Sequence, residues 1–332
     1  MRGHASCAAI AALLAALLGG ALASPAHAVA GAAPAKPKSV APYLVVLGIA
    51  QDGGAPQAGT PKEPGWHDPA MRRLATSLAL VDPATGARWL FDATPNFPEQ
   101  LQRLDEIAPV EARPGLSGIF LTHAHIGHYT GLMFLGKEVL GAKGVPVYAM
   151  PRMQQFLRDN GPWSQLVTLD NIELRPLADG VAVTLEHGLT VTPLLVPHRQ
   201  EFSEVVGFRI ASASKKVLFI PDIDSWDQWD AAGTRIEDEI AKVDVAYLDG
   251  TFFANGEIPG RDMSGFPHPF IRTSMGRFAA LPAKEKAKLR FIHLNHTNQA
   301  LWADTPERRE VEAAGFRVAE EGERVPLGNR SP

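Results

Sequence analysis

Eight consecutive residues, Leu121-Thr122-His123-Ala124-His125-Ile126-Gly127-His128, constrain this chain more than any other stretch. They follow directly on the apolar run Gly118-Ile119-Phe120, which reads with Leu121 as the end of a buried strand. Side chains two apart on an extended chain share a face, so His123 and His125 face one point. A turn into a helix then brings His128 to the same point. Neutral imidazole is the commonest metal ligand among side chains, and burying three of them together is costly unless something takes up their lone pairs. The cluster lies between a strand pattern and a helix pattern, which sets it apart from a surface metal-scavenging tract. It predicts a metal site at a strand end, in a fold whose other strands deliver further ligands to the same place.

The rest of the chain can supply such a fold. Its 332 residues are 45% hydrophobic and 20% charged, enough for one or two globular domains with a large core. The net charge of -4 comes with no basic block, so neither nucleic acid nor an anionic membrane is expected as a partner. Arg2 and His4 precede an apolar run, Ala8 to Leu22, which is followed by Ala21-Leu22-Ala23 and Ala26-His27-Ala28. This reads as a secretory signal peptide over 1–28, cleaved after Ala28 in preference to Ala23. The run is short of the roughly 20 apolar residues that a spanning helix needs. Residues 29–42 then form a flexible leader and 43–328 the folded domain, in a periplasmic or secreted protein. The sole cysteine, Cys7, falls inside the signal. A mature chain without cysteine has no disulfide, no cysteine nucleophile and no thiolate zinc site, so His, Asp and Glu must hold any transition metal.

From Tyr43 onward strand and helix patterns alternate. Tyr43 to Ala50 reads as a buried strand, and Leu74 to Asp82 pairs with Arg88 to Ala93 as a hairpin. Phe97 to Ile107 reads as a helix with Asn96 at its N-cap and Pro98 in its first turn. A helix is expected over Tyr129–Leu140. Strands are expected at 145–150, 181–186, 189–196, 205–211, 216–221, 243–248 and 289–294, and helices at 226–231, 235–242, 268–280 and 305–314. With no repeat and no long internal linker, the pattern is one α/β domain with two mixed sheets in contact and helices on their outer faces.

Four of these strands end on further candidate ligands. His198 follows Val191–Pro197, Asp222 follows Lys216–Pro221 with Asp224 two residues on, and Asp249 follows Asp244–Leu248. His293 lies within Arg290–Asn298, with His296 three residues further. Each alone is an ordinary turn former. Their combination with the three-histidine segment, each after a buried-strand pattern, is a specific order. Asp52, in the turn Asp52-Gly53-Gly54, lies near the site or contacts an anionic substrate through backbone N–H groups. Asp92 reads as structural support, Asp249 as a group holding a ligand histidine in its tautomer, and His268 as either a substrate contact or a helix-start residue.

That order, with Val45–Gln57, Phe91–Asn96, Leu121–Gly131, Leu248–Phe252, Pro267-His268-Pro269 and His293–Asn298, resembles the metallo-β-lactamase superfamily over about 43–325. Within it the chain resembles the branch containing coenzyme PQQ-synthesis protein B. The resemblance implies a four-layer αββα sandwich with its metal site at one edge of the two sheets. It implies that His123, His125 and His198 hold a first metal, His128 and His293 contribute to a second, and Asp222 bridges both. His296 and His268 are then candidates for proton transfer beside Asp222, and Asp52, Asp224 and Asp249 for support or substrate contact. One position departs from the family pattern H-x-H-x-D-H: Gly127 stands where an aspartate normally binds the second metal. The loop Gly59 to Trp66 carries no cysteine, so the branch's structural zinc is not expected there.

The expected function is an exported hydrolase that uses one or two divalent ions, zinc first, with manganese or iron as alternatives. They would activate water against a small ester, phosphodiester or related bond. The alternatives are a metal-dependent oxidoreductase, since His and carboxylate ligands suit non-haem iron, and a non-catalytic binding protein on a degenerate fold, motivated by Gly127. The loops 51–70 and 252–268 are expected to form the pocket rim.

Overall fold

A strand buried on both faces needs an apolar residue at every position. Tyr43–Gly48 (β1) meets that condition: all six of its residues are buried. The computed structural model describes residues 41–328; the expected signal peptide and the leader up to residue 40 lie outside the described residues. The first sheet takes β1, then Ser77–Asp82 (β2), Ala87–Phe91 (β3), Gly118–Phe120 (β4), Val145–Ala149 (β5) and Ile172–Pro176 (β6). The second takes Val183–Thr184 (β7), Thr190–Leu195 (β8), Val206–Ala211 (β9), Lys216–Ile220 (β10), Val245–Asp249 (β11), Leu289–Ile292 (β12) and Arg317–Val318 (β13). Arg324–Pro326 (β14) returns to the edge of the first sheet beside β1.

Both sheets are mixed, as expected. The first has the order β14-β1-β2-β3-β4-β5-β6, antiparallel through β3 and parallel from β3 to β6. The second has the order β13-β12-β11-β10-β9-β8-β7, parallel from β10 to β13. Two antiparallel steps restore direction, so β1 runs with β3 and β4, and β8 runs with β10, β11 and β12.

The two-residue period of β1 divides its side chains between two cores. Leu44 and Val46 enter the layer between the sheets, while Tyr43, Val45 and Leu47 face the helices outside the first sheet. Between the sheets, the Phe91 ring meets Phe208 at 5.6 Å and Phe219 at 6.2 Å. Phe97 and Leu104 of the helix Phe97–Ile107 cover the outside of the first sheet. Trp226, Ile236, Ile240, Ile271 and Val311, from four further helices, cover the second. The layer order is therefore helix, sheet, sheet, helix. Among the described residues no helix is long and apolar enough to cross a membrane.

Several expectations need correction. The helix expected over Tyr129–Leu140 is a short α-turn, Ile126–Tyr129, followed by a 3₁₀ segment, Thr130–Leu135. The backbone there docks on the end of β3 instead of propagating: Ala93 N–H donates to His128 C=O at 2.8 Å and Gly131 N–H to Ala93 C=O at 2.9 Å. A Cβ on Gly131 would lie 2.1 Å from the Thr94 carbonyl oxygen, so only glycine permits this approach. Asn96 occupies the N-cap position but does not cap with its side chain, whose oxygen accepts from Ala75 N–H at 2.8 Å. The helix expected at 268–280 is confined to Ile271–Arg277. The helices Pro151–Asp159 and Trp163–Thr168 and the edge strand β6 had no counterpart in the sequence reading.

Candidate metal centre

Carboxyl ends of co-directed strands build the site. On the first sheet, β1 leads to Asp52, β3 to Asp92 and β4 to Thr122–His128; on the second, β8 leads to His198, β10 to Asp222, β11 to Asp249 and Thr251, and β12 to His293. Backbone hydrogen bonds tie the two edges together. Gln51 N–H donates to Leu294 C=O at 2.8 Å, Leu294 N–H to Ile49 C=O at 2.9 Å, and Val206 N–H to Thr122 C=O at 3.1 Å.

Three histidines and one carboxylate converge first. His123 Nε2 lies 2.9 Å from His125 Nδ1, which lies 3.2 Å from His198 Nε2. Asp222 Oδ2 stands 3.4 Å from His123 Nε2 and 3.3 Å from His198 Nε2. Donors about 2.0–2.1 Å from a tetrahedral zinc ion stand about 3.3 Å apart. Four of the six separations thus lie close to the edge of one coordination tetrahedron, and the ligand atoms of the four residues all lie within 4.8 Å of one another.

A second group adjoins it. His128 Nε2 lies 3.6 Å from Asp222 Oδ2 and 3.6 Å from Asp52 Oδ1, and His293 Nε2 lies 3.7 Å from Asp52 Oδ1. His128 Nε2, His293 Nε2 and Asp222 Oδ1 are buried and have no hydrogen-bond partner among the described residues. Buried polar atoms are normally paired. Lone pairs left open, on histidines and a carboxylate that face one another, are the donor set a divalent cation requires, so the residues fit a metal. A third group, Asp222, Asp249 and His268, also brings its ligand atoms within 4.8 Å of one another.

Each sheet fixes two of its histidines with one aspartate and one threonine. On the first, Thr122 Oγ1 donates to Asp92 at 3.0 Å and accepts from His123 Nδ1 at 3.0 Å, while His128 Nδ1 donates to Asp92 Oδ2 at 2.7 Å. On the second, Thr251 Oγ1 donates to Asp249 at 2.7 Å and accepts from His293 Nδ1 at 3.1 Å, while His268 Nδ1 donates to Asp249 Oδ2 at 2.9 Å. Holding the proton on Nδ1 turns Nε2 of His123, His128 and His293 inward as acceptors. Asp92 and His293 keep this geometry at φ +66° and +65°, in the left-handed region that side chains rarely adopt.

Charges follow from these contacts. Burial holds the His123 imidazole well below its ordinary range, and the neighbouring His128 adds to the effect. Burial lowers His128 as well, but Asp92 and Asp52 outweigh it and leave it raised. His198 is pushed up to about 9, because Asp222 and Asp224 outweigh its desolvation. Burial raises the Asp222 carboxyl, yet His198, His268 and His123 hold it well below the usual carboxylate range. Desolvation likewise raises Asp52, and His293 and His128 more than reverse this.

The remaining residues singled out in the sequence divide by place. Asp224 Oδ1 lies 2.7 Å from His198 Nδ1, behind the ring. Asp249 grips His268. His296 stands apart: its Nδ1 donates to Glu63 Oε1 at 2.5 Å, and it belongs to none of the three groups. Thr122 and Thr251 escaped the sequence reading. The available signal was a threonine beside a strand-end histidine in Leu121-Thr122-His123 and one beside a strand-end aspartate in Asp249-Gly250-Thr251. Glu201, which accepts from His125 Nε2 at 3.1 Å, carried no such signal.

Above the site opens a cleft of about 720 Å³, with Asp52, His125, Asp222 and His268 on its walls. Arg199 and Arg261 bring positive charge, and Phe156, Phe202, Phe252 and Phe266 bring aromatic surface. The expected rim loops contribute Asp52 at one side and Phe252 to His268 at the other. The segments carrying Phe156 and Phe202 were not anticipated there.

Comparison with known proteins agrees with this architecture. A family model described as "Beta-lactamase superfamily domain" matches residues 87–296. Coenzyme PQQ synthesis protein B of Gluconobacter oxydans (strain 621H) is 26% identical over 309 residues, covering 84% of this chain and 96% of that protein. The crystal structure of Zn(2+)-bound PqqB from Methylobacterium extorquens superposes with a TM-score of 0.69 at 24% identity, over 85% of this chain and 99% of that one. A diphosphatase from the PhnP family gives a TM-score of 0.58 at 22% identity, over 86% and 96% of the respective chains.

Proposed function

The chain belongs to the beta-lactamase superfamily, and on that premise we propose that it is a metal-dependent hydrolase of small anionic esters, phosphodiesters before others. The observation that carries this reading is the pair of adjoining donor groups, His123, His125, His198 and Asp222 beside Asp52, His128 and His293, linked by Asp222 Oδ2 at 3.6 Å from His128 Nε2, at the foot of a cleft walled by two arginines. His123, His125, His198 and Asp222 would hold a first divalent ion, and His128, Asp222 and His293 would contribute to a second. Zinc is the first choice, with manganese or iron as alternatives. Such an ion, when bound, supplies Lewis acidity and a water acidic enough to attack at neutral pH.

The chain's own residues do the rest. Arg199 and Arg261 neutralise the substrate's anionic group, and the four phenylalanines receive its apolar part. His268, whose Nδ1 donates to Asp249, turns its Nε2 lone pair towards Arg199 and can take a proton there. Arg199 Nη2 donates to that atom at 3.3 Å, so the group that binds the substrate anion and the group that takes up a proton meet at one point. The test is hydrolysis of an aryl phosphodiester, an aryl ester, a lactone and an amide by the metal-loaded protein. Turnover of the phosphodiester above the others is expected, and inertness towards all four would overturn the reading.

A second reading has one observation in its favour, the likeness along most of the chain to proteins named for coenzyme PQQ synthesis. In it the same ligands hold iron, and the reaction is an oxidation. Iron content with substrate-dependent oxygen uptake would establish it, and tightly held zinc with hydrolysis would exclude it. We also propose that the protein acts outside the cytoplasm, in the periplasm or medium. Cell fractionation and the N-terminal mass of the mature chain test this, with cleavage after Ala28 expected and retention of residues 1–28 as the opposing result.

A further inference from the structure

The carboxylate missing from position 127 is present in space. A Cβ built on Gly127 would stand 2.1 Å from Asp52 Oδ1, 2.8 Å from Asp52 Cγ and 2.5 Å from Asp52 Cα. Gly127 is not at positive φ, so its backbone conformation does not demand glycine. The space does: the backbone of residue 52 and the Asp52 carboxylate together fill it, and no residue larger than glycine fits against this loop. Asp52 Oδ1 faces His128 Nε2 at 3.6 Å and His293 Nε2 at 3.7 Å. Both nitrogens belong to imidazoles 1% exposed or less and lack hydrogen-bond partners among the described residues. The loop that aims Asp52 is itself anchored, by Gln51 N–H on Leu294 C=O, next to His293. Asp52 holds its place at φ +34°.

We propose that Asp52 takes over as a ligand of the second divalent ion, the carboxylate entering from the end of β1 instead of from the helix start at residue 127. The inference rests on the metal-centre reading above. It completes the second group with Asp52, His128, His293 and the shared Asp222, two imidazoles and two carboxylates. It also accords with the glycine, because a side chain at 127 would meet both the residue-52 backbone and the Asp52 carboxylate.

The test compares the full mature chain with its Asp52→Asn variant, each stripped of metal and titrated with cobalt(II). Bound metal is counted by elemental analysis after dialysis, and the visible d–d bands are followed. Two equivalents are expected for the unaltered protein. One is expected for Asp52→Asn, with the spectrum of the first-bound ion kept and the second affinity lowered by about 100-fold or more. The retained first ion and an unchanged metal-free melting temperature certify that the variant is folded. Two equivalents at unaltered affinity in Asp52→Asn overturn the proposal, as does loss of both ions, which would make Asp52 a structural residue. A single equivalent in the unaltered protein overturns this proposal alone; no metal in it overturns the metal-centre reading as well.

Discussion

A hydroxyl that both donates and accepts decides which imidazole nitrogen faces inward. Thr251 Oγ1 gives its one proton to Asp249 and so can only accept from His293 Nδ1. Valine has nearly the same shape and no hydroxyl. Thr251→Val, and equally Thr122→Val, is therefore expected to weaken metal binding by about 10- to 100-fold with the fold intact. Competition titration against a chromogenic chelator checks this, and unaltered affinity would show that the ligands are oriented without the threonines. His268 poses a different question, because it reaches the cleft through Nε2. His268→Gln is expected to lower kcat by about 10²- to 10⁴-fold at constant metal content, and to flatten the limb of the pH profile that the imidazole governs. Metal loss in that variant would assign His268 to coordination instead. At this scale the imidazoles were legible in the sequence, because His123 and His125 obey the two-residue period of an extended chain. The threonines were not, since a threonine beside a strand end is ordinary and its partner lies 30 residues away in the case of Thr122 and Asp92.

Strands deliver these residues only if their far ends are anchored. At the end of β3 opposite Asp92, Arg88 is fully buried. Its guanidinium donates to Asp105 at 2.7 Å and to the carbonyls of Gly115, Ala108 and Pro114 at 2.8–3.0 Å. Arg88→Met would leave three carbonyls and a carboxylate without their donor, at a cost of about 3 kcal/mol or more. A lower denaturation midpoint with unaltered metal stoichiometry is expected; a midpoint equal to that of the unaltered protein would mean that the region repacks. Elements with a strong pattern, such as β1, the hairpin of β2 and β3, and the helix Phe97–Ile107, were legible from periodicity. The segment after His128 was not, because its conformation is set by docking on Ala93 and Thr94 and not by its own apolar spacing. Helix Pro151–Asp159 escaped as well, since only Met153, Gln154 and Leu157 of its residues are buried.

Over the whole molecule, the site joins the ends of two sheets, so its charge state bears on stability. His198 is the clearest case: its folded pKa of about 9 lies above the ordinary 6.5. In the metal-free protein its charged form therefore contributes stability that is complete below about pH 6.5 and is lost as pH rises through about 9. A metal must displace that proton. Uptake is expected to release protons near neutral pH, and apparent affinity to rise with pH until about 9. Calorimetry in two buffers of different ionisation enthalpy measures this, and buffer-independent heats would contradict it. Because the donors come from both sheets, a bound ion also clamps them: at 100 times its Kd, one ion adds about 2.7 kcal/mol. Chelation should lower the melting temperature, and an unmoved transition would mean that the ligands are held by the protein alone. The sequence by itself determined the residue types at the strand ends, the two-sheet architecture and the metal-binding chemistry, because buried strands and clustered imidazoles are written in local pattern. Only the tertiary structure decided that Asp52 stands in the space above Gly127. That contact joins residues 75 positions apart, on loops that leave the co-directed strands β1 and β4 at the same end of the first sheet.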